Sequence, residues 1–306
     1  MGKYLLKRLG QSVIAIFGIT VVVFVILHLT GNPVELMVSP TTPKEQMEIL
    51  SEQMGFNDPL PEQYIRFLKG VLVGDFGTSY YYNEPALSVV LERAPATLSL
   101  ACAALVICIL LGVPAGILSA VKRNKLSDAI IRVLALLGQC MPAFWLGIML
   151  IILFAVKLRW LPTGGADEGL RSIILPAFTL GLFSAATICR LLRSNMIEVL
   201  GKEYIDVCRA KGLPARKIIT KHALKNALSS IITMLGMQFA SLIGGSVITE
   251  TVFVWPGVGR LVVQSITSSD FAVVECIVFL MAVVFVVINF VVDVLYCVIN
   301  PRVRLQ

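Results

Sequence analysis

The chain has 306 residues, 57% of them hydrophobic and 15% charged, with a mean hydropathy of +0.85 and a formal net charge of +7. Soluble domains carry about 25% charged residues, so this balance excludes an ordinary soluble globule and points to a polytopic all-α membrane helix bundle. Seven scattered cysteines (102, 108, 140, 189, 208, 276 and 297) form no C-x-x-C pair, which excludes a disulfide framework or a thiolate metal site.

A bilayer core needs about 20 apolar helical residues. Six stretches meet or approach that length: 9–29, 98–121, 131–156, 173–189, 229–249 and 273–299. The first follows Lys3, Lys7 and Arg8, exceeds a signal-peptide core and lacks a small-x-small site, so it reads as an uncleaved anchor. Residues 30–97 form an external segment. It opens on the turn "GNP" and holds two short amphipathic helices, "TPKEQMEILSEQMG" and "EQYIRFLKGVLV". In the former, Thr42 suits the cap, Pro43 the first turn and Gly55 the stop. "KRNKLSD" reads as a short turn between the second and third spans. "LRWLPTGGADEG" reads as an outer loop anchored by Trp160.

Six spans place both termini on one side. That side holds 18 of the 26 Lys and Arg but only 4 of the 19 Asp and Glu. Cytoplasmic loops are enriched in Lys and Arg, so it is read as cytoplasmic. The net positive charge is then a sorting effect and implies no nucleic-acid partner.

The chain has no G-x-x-x-x-G-K-[ST], H-E-x-x-H or G-x-S-x-G, and its two histidines, His28 and His222, are far apart. No catalytic residue, metal site or cofactor is expected. Away from the span ends, only Asp293 offers a carboxylate, His or Lys. With Asn289 one turn before it, it fits a structural hydrogen-bond network near the cytoplasmic end better than an ion relay.

The stretch "EYIDVCRAKGLPARKIITKHALKNAL" (203–228) differs from the rest. Ile197, Leu200, Tyr204 and Val207/Cys208 recur at helical spacing on a helix ending near Lys211. Gly212 suits a left-handed stop, and Pro214 a new helix start. The second helix sets Ala215, Ile218, Ile219, His222 and Ala223 against Arg216, Lys217, Lys221 and Lys225. Pinned between two spans, the pair has no room to dock on DNA. The basic face alone fits a helix on anionic lipid. Plain topological charge explains the lysines but not the stripe, Gly or Pro. Docking on a cytoplasmic partner accounts for all of these.

This stretch resembles the "EAA" loop of binding-protein-dependent ABC transporter permeases. Aligned on Gly212, Asp206 stands at the acidic place, Val207 and Cys208 at the two Ala places, and Leu224 and Lys225 at Leu and Pro. Only Gly212, Leu224 and a conservative Asp206 match. The dipeptide/oligopeptide/nickel branch diverges in the same way, and "CRAKGLPARKIITKHALKNA" is similar to its loop. "GDFGTS" (74–79), "ERAPATLSLA" (92–101), "MPAFWLG" (141–147), "ETVFVWPGVGRL" (250–261) and "NFVVDVLYCVINPRVR" (289–304) also resemble that branch.

The resemblance implies a type I ABC importer permease fold of six transmembrane helices. It divides the chain into an N-terminal helix with external segment (1–94), a transporter core (95–299) with a coupling loop (190–228), and a cytoplasmic tail (300–306). It implies an ATPase-coupling helix presenting Glu203, Tyr204, Asp206, Arg209, Ala210, Lys211 and Gly212, and an external gate or binding-protein contact at Glu250, Trp255, Pro256 and Gly257. Its implied partners are a homologous second permease, two ABC ATPase subunits and an extracytoplasmic substrate-binding protein, in the bacterial inner membrane and in contact with its lipid. The chain would then be a pore-forming subunit with no ATP site of its own. The implied cargo is di- or oligopeptides. Nickel, a metal chelate or a glutathione-like peptide is the alternative within this class. A secondary transporter, which would need more charge in the spans, and a membrane enzyme, which would need a convergent nucleophile or metal set, are the alternatives outside it.

Overall fold

The computed structural model describes residues 2–29, 43–53 and 57–299. The expected "GNP" turn, the Thr42 cap, the Gly55 stop and the tail at 300–306 lie outside them. Every regular element among the described residues is helical, apart from one isolated bridge between Thr78 and Pro85. The helices are α1 (Gly2–Leu29), α2 (Lys44–Gln53), α3 (Leu60–Val73), α4 (Ala86–Val121), α5 (Leu126–Cys140), α6 (Ala143–Leu150), α7 (Leu170–Leu200), α8 (Glu203–Ala210), α9 (Ala215–Lys217), α10 (Leu224–Gly244), α11 (Ser246–Val252), α12 (Val258–Thr267) and α13 (Phe271–Ile299). π-Helical turns continue α6 over Ile151–Lys157 and join α9 to α10 over Ile218–Ala223.

Three helices, α4, α7 and α13, are long and apolar enough to cross a membrane unbroken. Two bent pairs, Leu126–Cys140 with Ala143–Lys157 and Ala215–Leu228 with Ile231–Gly244, qualify if each counts as one span, and α1 holds the shorter apolar stretch Arg8–Val22. The expected single span at 131–156 is therefore corrected. It breaks between α5 and α6 with a bend of 104°. Pro142 is the cause: it lacks an N–H, and it pushes the preceding Met141 out of the helical region to φ −74°, ψ 126°.

The chain divides into two compact bodies. Among the described residues, one comprises 98–255 and 288–299, the other 2–29, 43–53, 57–97 and 256–287. In the first, α7 is the central helix: 67% of its apolar window is buried, against 33% for α4. It packs on α5 and α10. Glycines bring α4 onto it. A Cβ at Gly112 would meet the Ala185 carbonyl oxygen at 2.7 Å, and one at Gly181 would meet the Ala104 oxygen at 2.6 Å. Small residues of this kind permit close backbone approach where lipid supplies no hydrophobic drive between helices.

The second body has its own core of Phe76, Val89, Val90, Val258, Leu261, Val273 and Cys276. The Asp270 carboxylate ties the loop before α4 to the start of α13, accepting from Ser79 Oγ and from Tyr81 N. The α3 helix lies beside α1, where Thr20 Oγ1 and Tyr64 OH are 2.8 Å apart and Phe24 meets the Tyr64 ring edge-on at 5.2 Å. The segment between the expected spans 229–249 and 273–299 contains the end of α11 and the whole of α12.

Gly181→Leu should lower the thermal midpoint of the detergent-solubilised protein, at an overpacking cost of about 1–3 kcal/mol. Gly18→Ala, within α1 where a Cβ meets nothing within 4 Å, should not lower the midpoint in the same assay and should raise it slightly through helix propensity.

Candidate functional site: the basic hairpin after α7

The hairpin begins where α7 stops. Gly201 N and Lys202 N bond back to the Glu198 and Val199 carbonyls, and α8 starts at Glu203 in a new direction. Glu203 and Asp206 sit in the first turn of α8 and Arg209 in the last, the order that complements a helix dipole. Arg209 Nη1 donates to Asp206 Oδ1 at 2.8 Å across an exposed surface.

A Schellman motif ends α8. Leu213 N bonds to the Cys208 oxygen at 3.3 Å and Gly212 N to the Arg209 oxygen at 2.9 Å. Gly212 has φ +71°, where side-chain-bearing residues are strained. No atom lies within 4 Å of a Cβ built there, so backbone conformation alone demands glycine. Pro214 caps α9 in extended geometry, φ −63°, ψ 142°.

One face of the hairpin is sealed to α7. Ile205, Ile218 and Ala223 join Leu192, Met196 and Val199 in one buried cluster, which also takes in Cys108 and Ala120 of α4. The expected stripe holds at Ile197, Leu200 and Cys208, which pack against this cluster, and is corrected at Tyr204 and Val207: Ile205 is 0% exposed, whereas Val207 is 54% exposed. The break at Gly201 resets the helical phase, so spacing carried across it from Ile197 and Leu200 selects the wrong face. The other face carries Glu203, Tyr204, Asp206, Arg209, Ala210, Lys211 and Gly212, all exposed and all brought together on one short helix and its cap. Asn226 Nδ2 donates to both Tyr204 OH and the His222 oxygen, bracing α8 against α10.

The outer residues are arranged differently. Glu250 lies within α11 at 0% exposure and accepts from Ser246 Oγ at 2.8 Å. Its carbonyl accepts from Trp255 N at 2.8 Å, and Trp255 is itself buried. Phe253, between them, packs on Gly147 of α6, and its carbonyl accepts from Gly165 N. Pro256 and Gly257 belong to the other body, where extended Gly257 caps α12. Asn289 and Asp293 are half-buried on α13. Among the described residues no group of His, Cys, Asp and Glu could hold a metal ion.

Sequence reasoning passed over Asp128 and Arg193. Arg193 Nε and Nη2 donate to Asp128 Oδ1 and Oδ2 at 2.8 and 2.9 Å. The only local signal was an acidic residue in the first turn of a helix; its partner lies 65 residues away.

Residues 112–305 match the family described as binding-protein-dependent transport system inner membrane component, and residues 1–101 match its N-terminal companion. The chain belongs to this family, the permease subunits of type I ABC importers. Over 305 residues, covering 99% of both chains, it is 39% identical to the glutathione transport system permease protein GsiC of Escherichia coli (strain K12) and to that of Shigella dysenteriae serotype 1 (strain Sd197). Its fold is similar to inward-facing MetNI methionine ABC transporter structures, with a TM-score of 0.57 at 19% identity, covering 70% of this chain and 97% of that one. An amino acid ABC transporter crystallised with histidines gives a TM-score of 0.52 at 16% identity, covering 70% and 94%.

Ile205→Ala should destabilise the protein by about 2–5 kcal/mol through the cavity it leaves, whereas exposed Val207→Ala should stay within about 0.5 kcal/mol. Thermal melts of the two variants check the corrected phase of α8.

Proposed function

We propose that the chain forms half of a translocation pathway for short peptides. A second homologous permease completes the pathway, two ABC ATPase subunits drive it, and an extracytoplasmic binding protein delivers the substrate. The observation that carries this reading is the two-sided hairpin: an exposed row of polar and charged residues on α8, with its reverse face sealed into the α7 core. An ATPase that closes on ATP can push such an element without deforming it. The work then comes from the difference in affinity between the two ATPase states. Glu203, Tyr204, Asp206, Arg209, Ala210, Lys211 and Gly212 are the residues assigned to that contact.

Among short peptides, glutathione is the first to test, because the permeases 39% identical to this chain are named for it. The proposed topology has six spans with both termini in the cytoplasm, resting on the distribution of Lys and Arg. Glu250 and Trp255 are assigned to the external gate, and their burial favours an interior gate element over an exposed docking surface. Pro256 and Gly257 are assigned to the turn that follows it. Asn289 and Asp293 are assigned to a structural polar pair.

The test is ATP-dependent uptake into vesicles containing the complete transporter, with labelled glutathione, a dipeptide and Ni²⁺ as separate probes. Uptake of glutathione or the dipeptide alone is the expected result; uptake of Ni²⁺ alone would overturn the peptide reading. Gly212→Val, forced into left-handed backbone at a cost of about 1–3 kcal/mol, should reduce uptake far more than membrane insertion. Normal uptake with full ATPase coupling in that variant would remove α8 from the drive. Trp255→Ala should depress binding-protein-stimulated ATP hydrolysis while basal hydrolysis persists, and an unchanged stimulation would make Trp255 a packing residue only.

A further inference from the structure

Asp128, the third residue of α5, has no exposed surface, yet its carboxylate is fully engaged. Arg193 of α7 grips both oxygens, with Nε to Oδ1 at 2.8 Å and Nη2 to Oδ2 at 2.9 Å. Ser119 Oγ, in the last turn of α4, donates to Oδ1 at 2.5 Å. Asn124 N, in the turn between α4 and α5 at φ +63°, donates to Oδ2 at 3.0 Å. Arg132 Nε stands 3.5 Å from Oδ1 on the solvent side. One buried group therefore joins α4, α5 and α7.

Its place in the fold suggests a use. Arg193 adjoins Leu192 and lies one turn before Met196, both buried in the cluster that holds Ile205 of the hairpin. Going the other way, α5 runs to the bend at Met141–Pro142 and into α6, which packs on the helix carrying Glu250. The hairpin grips α7 through apolar contacts, and packed helices joined only by such contacts slide past one another by about 1–2 Å in switching transitions. A bidentate ion pair with every acceptor filled is directional and does not slide. Removing the fork leaves α5 and α7 held by apolar packing and by one hydrogen bond near the other end of α5, from Gln139 Nε2 to Thr187 Oγ1 at 2.9 Å.

We propose that the Asp128–Arg193 pair is the joint that makes α5 move with α7 when the hairpin is displaced, so that motion at α8 reaches the α5–α6 bend. This inference rests on the transporter reading above and adds two positioning residues to it. Neither touches substrate or nucleotide; both act through the helices they fasten. A merely structural staple would stabilise the fold equally in every state of the transport cycle. A joint matters most when nucleotide loads it, and that difference is what the test reads.

The experiment uses the complete transporter in lipid, with the native cysteines replaced by alanine and spin labels at Leu126→Cys on α5 and Lys202→Cys after α7. Both positions are exposed, and ATP with vanadate is the probe. With the pair intact, the label distance should be the same, within about 2 Å, in the nucleotide-free and vanadate-trapped states. In Arg193→Gln the nucleotide-free distance should be retained, and the trapped state should broaden or shift. Should that variant fail to assemble, Arg193→Lys, which keeps the charge but loses the fork, should show the same state-dependent change. A distance that changes between states with the pair intact overturns the joint, as does one that stays fixed in both states of the assembled variant. Failure of the ATPase subunits to co-purify with the unmutated chain would instead overturn the transporter reading, and this proposal with it.

Discussion

A carboxylate buried without compensation is among the most expensive groups a fold can contain, and the first body holds a buried carboxylate whose compensation is complete. Asp128 keeps its charge because a guanidinium fork, a hydroxyl and a backbone N–H converge on its two oxygens. Those donors come from the end of α4, from the following turn and from α7. The ion pair thus fixes where the end of α4 and the start of α5 meet α7, a short distance along α7 from the point at which the hairpin emerges. Replacing it with an apolar contact would satisfy burial but would lose direction, which a fork against a carboxylate supplies and methyl groups do not.

Above that joint the drive for close packing changes character. Between α4 and α7 it is steric: Gly112 and Gly181 let backbone approach backbone. Between α7 and the hairpin it is apolar, with Ile205, Ile218 and Ala223 completing a cluster that would otherwise expose Met196 and Leu192 to water. Elsewhere the protein leaves large apolar side chains uncovered, Leu110, Leu134 and Phe285 among them, as expected of a surface that meets lipid. Apolar exposure is costly in water and free in a bilayer. The same residue types therefore serve as core on α7 and as coat on α13, where only 17% of the apolar window is buried.

Much of this was legible before any coordinates. Apolar run length located α4, α7 and α13, because spanning a bilayer is a local requirement on consecutive residues. Gly212 and Pro214 announced the hairpin for an equally local reason: φ +71° and the missing proline N–H are properties of single residues. The resemblance singles out Glu203 to Gly212 because the motif that carries it is contiguous. Other features were not legible. The sharp bend between α5 and α6 was missed because proline inside a membrane helix is also compatible with a mild kink. Ile205 was passed over because the helix breaks at Gly201, and periodicity cannot be carried through a break. The burial of Glu250 was not legible because its sequence surroundings, "TETVFVWPG", do not reveal that α11 packs on α6.

By itself the sequence determined the membrane class, the order of the apolar segments, the family and the location of the basic hairpin. Each of these depends on composition, on runs or on short contiguous motifs. Tertiary structure alone decided which face of α8 is sealed, which glycines are contact points rather than flexible ones, and that Asp128 belongs to Arg193. Those facts concern residues 65 or more positions apart, or across a helix break. No local rule pairs such residues: a charge beside a span reads the same whether it ends in water or in a buried fork, until folding brings its partner within 3 Å.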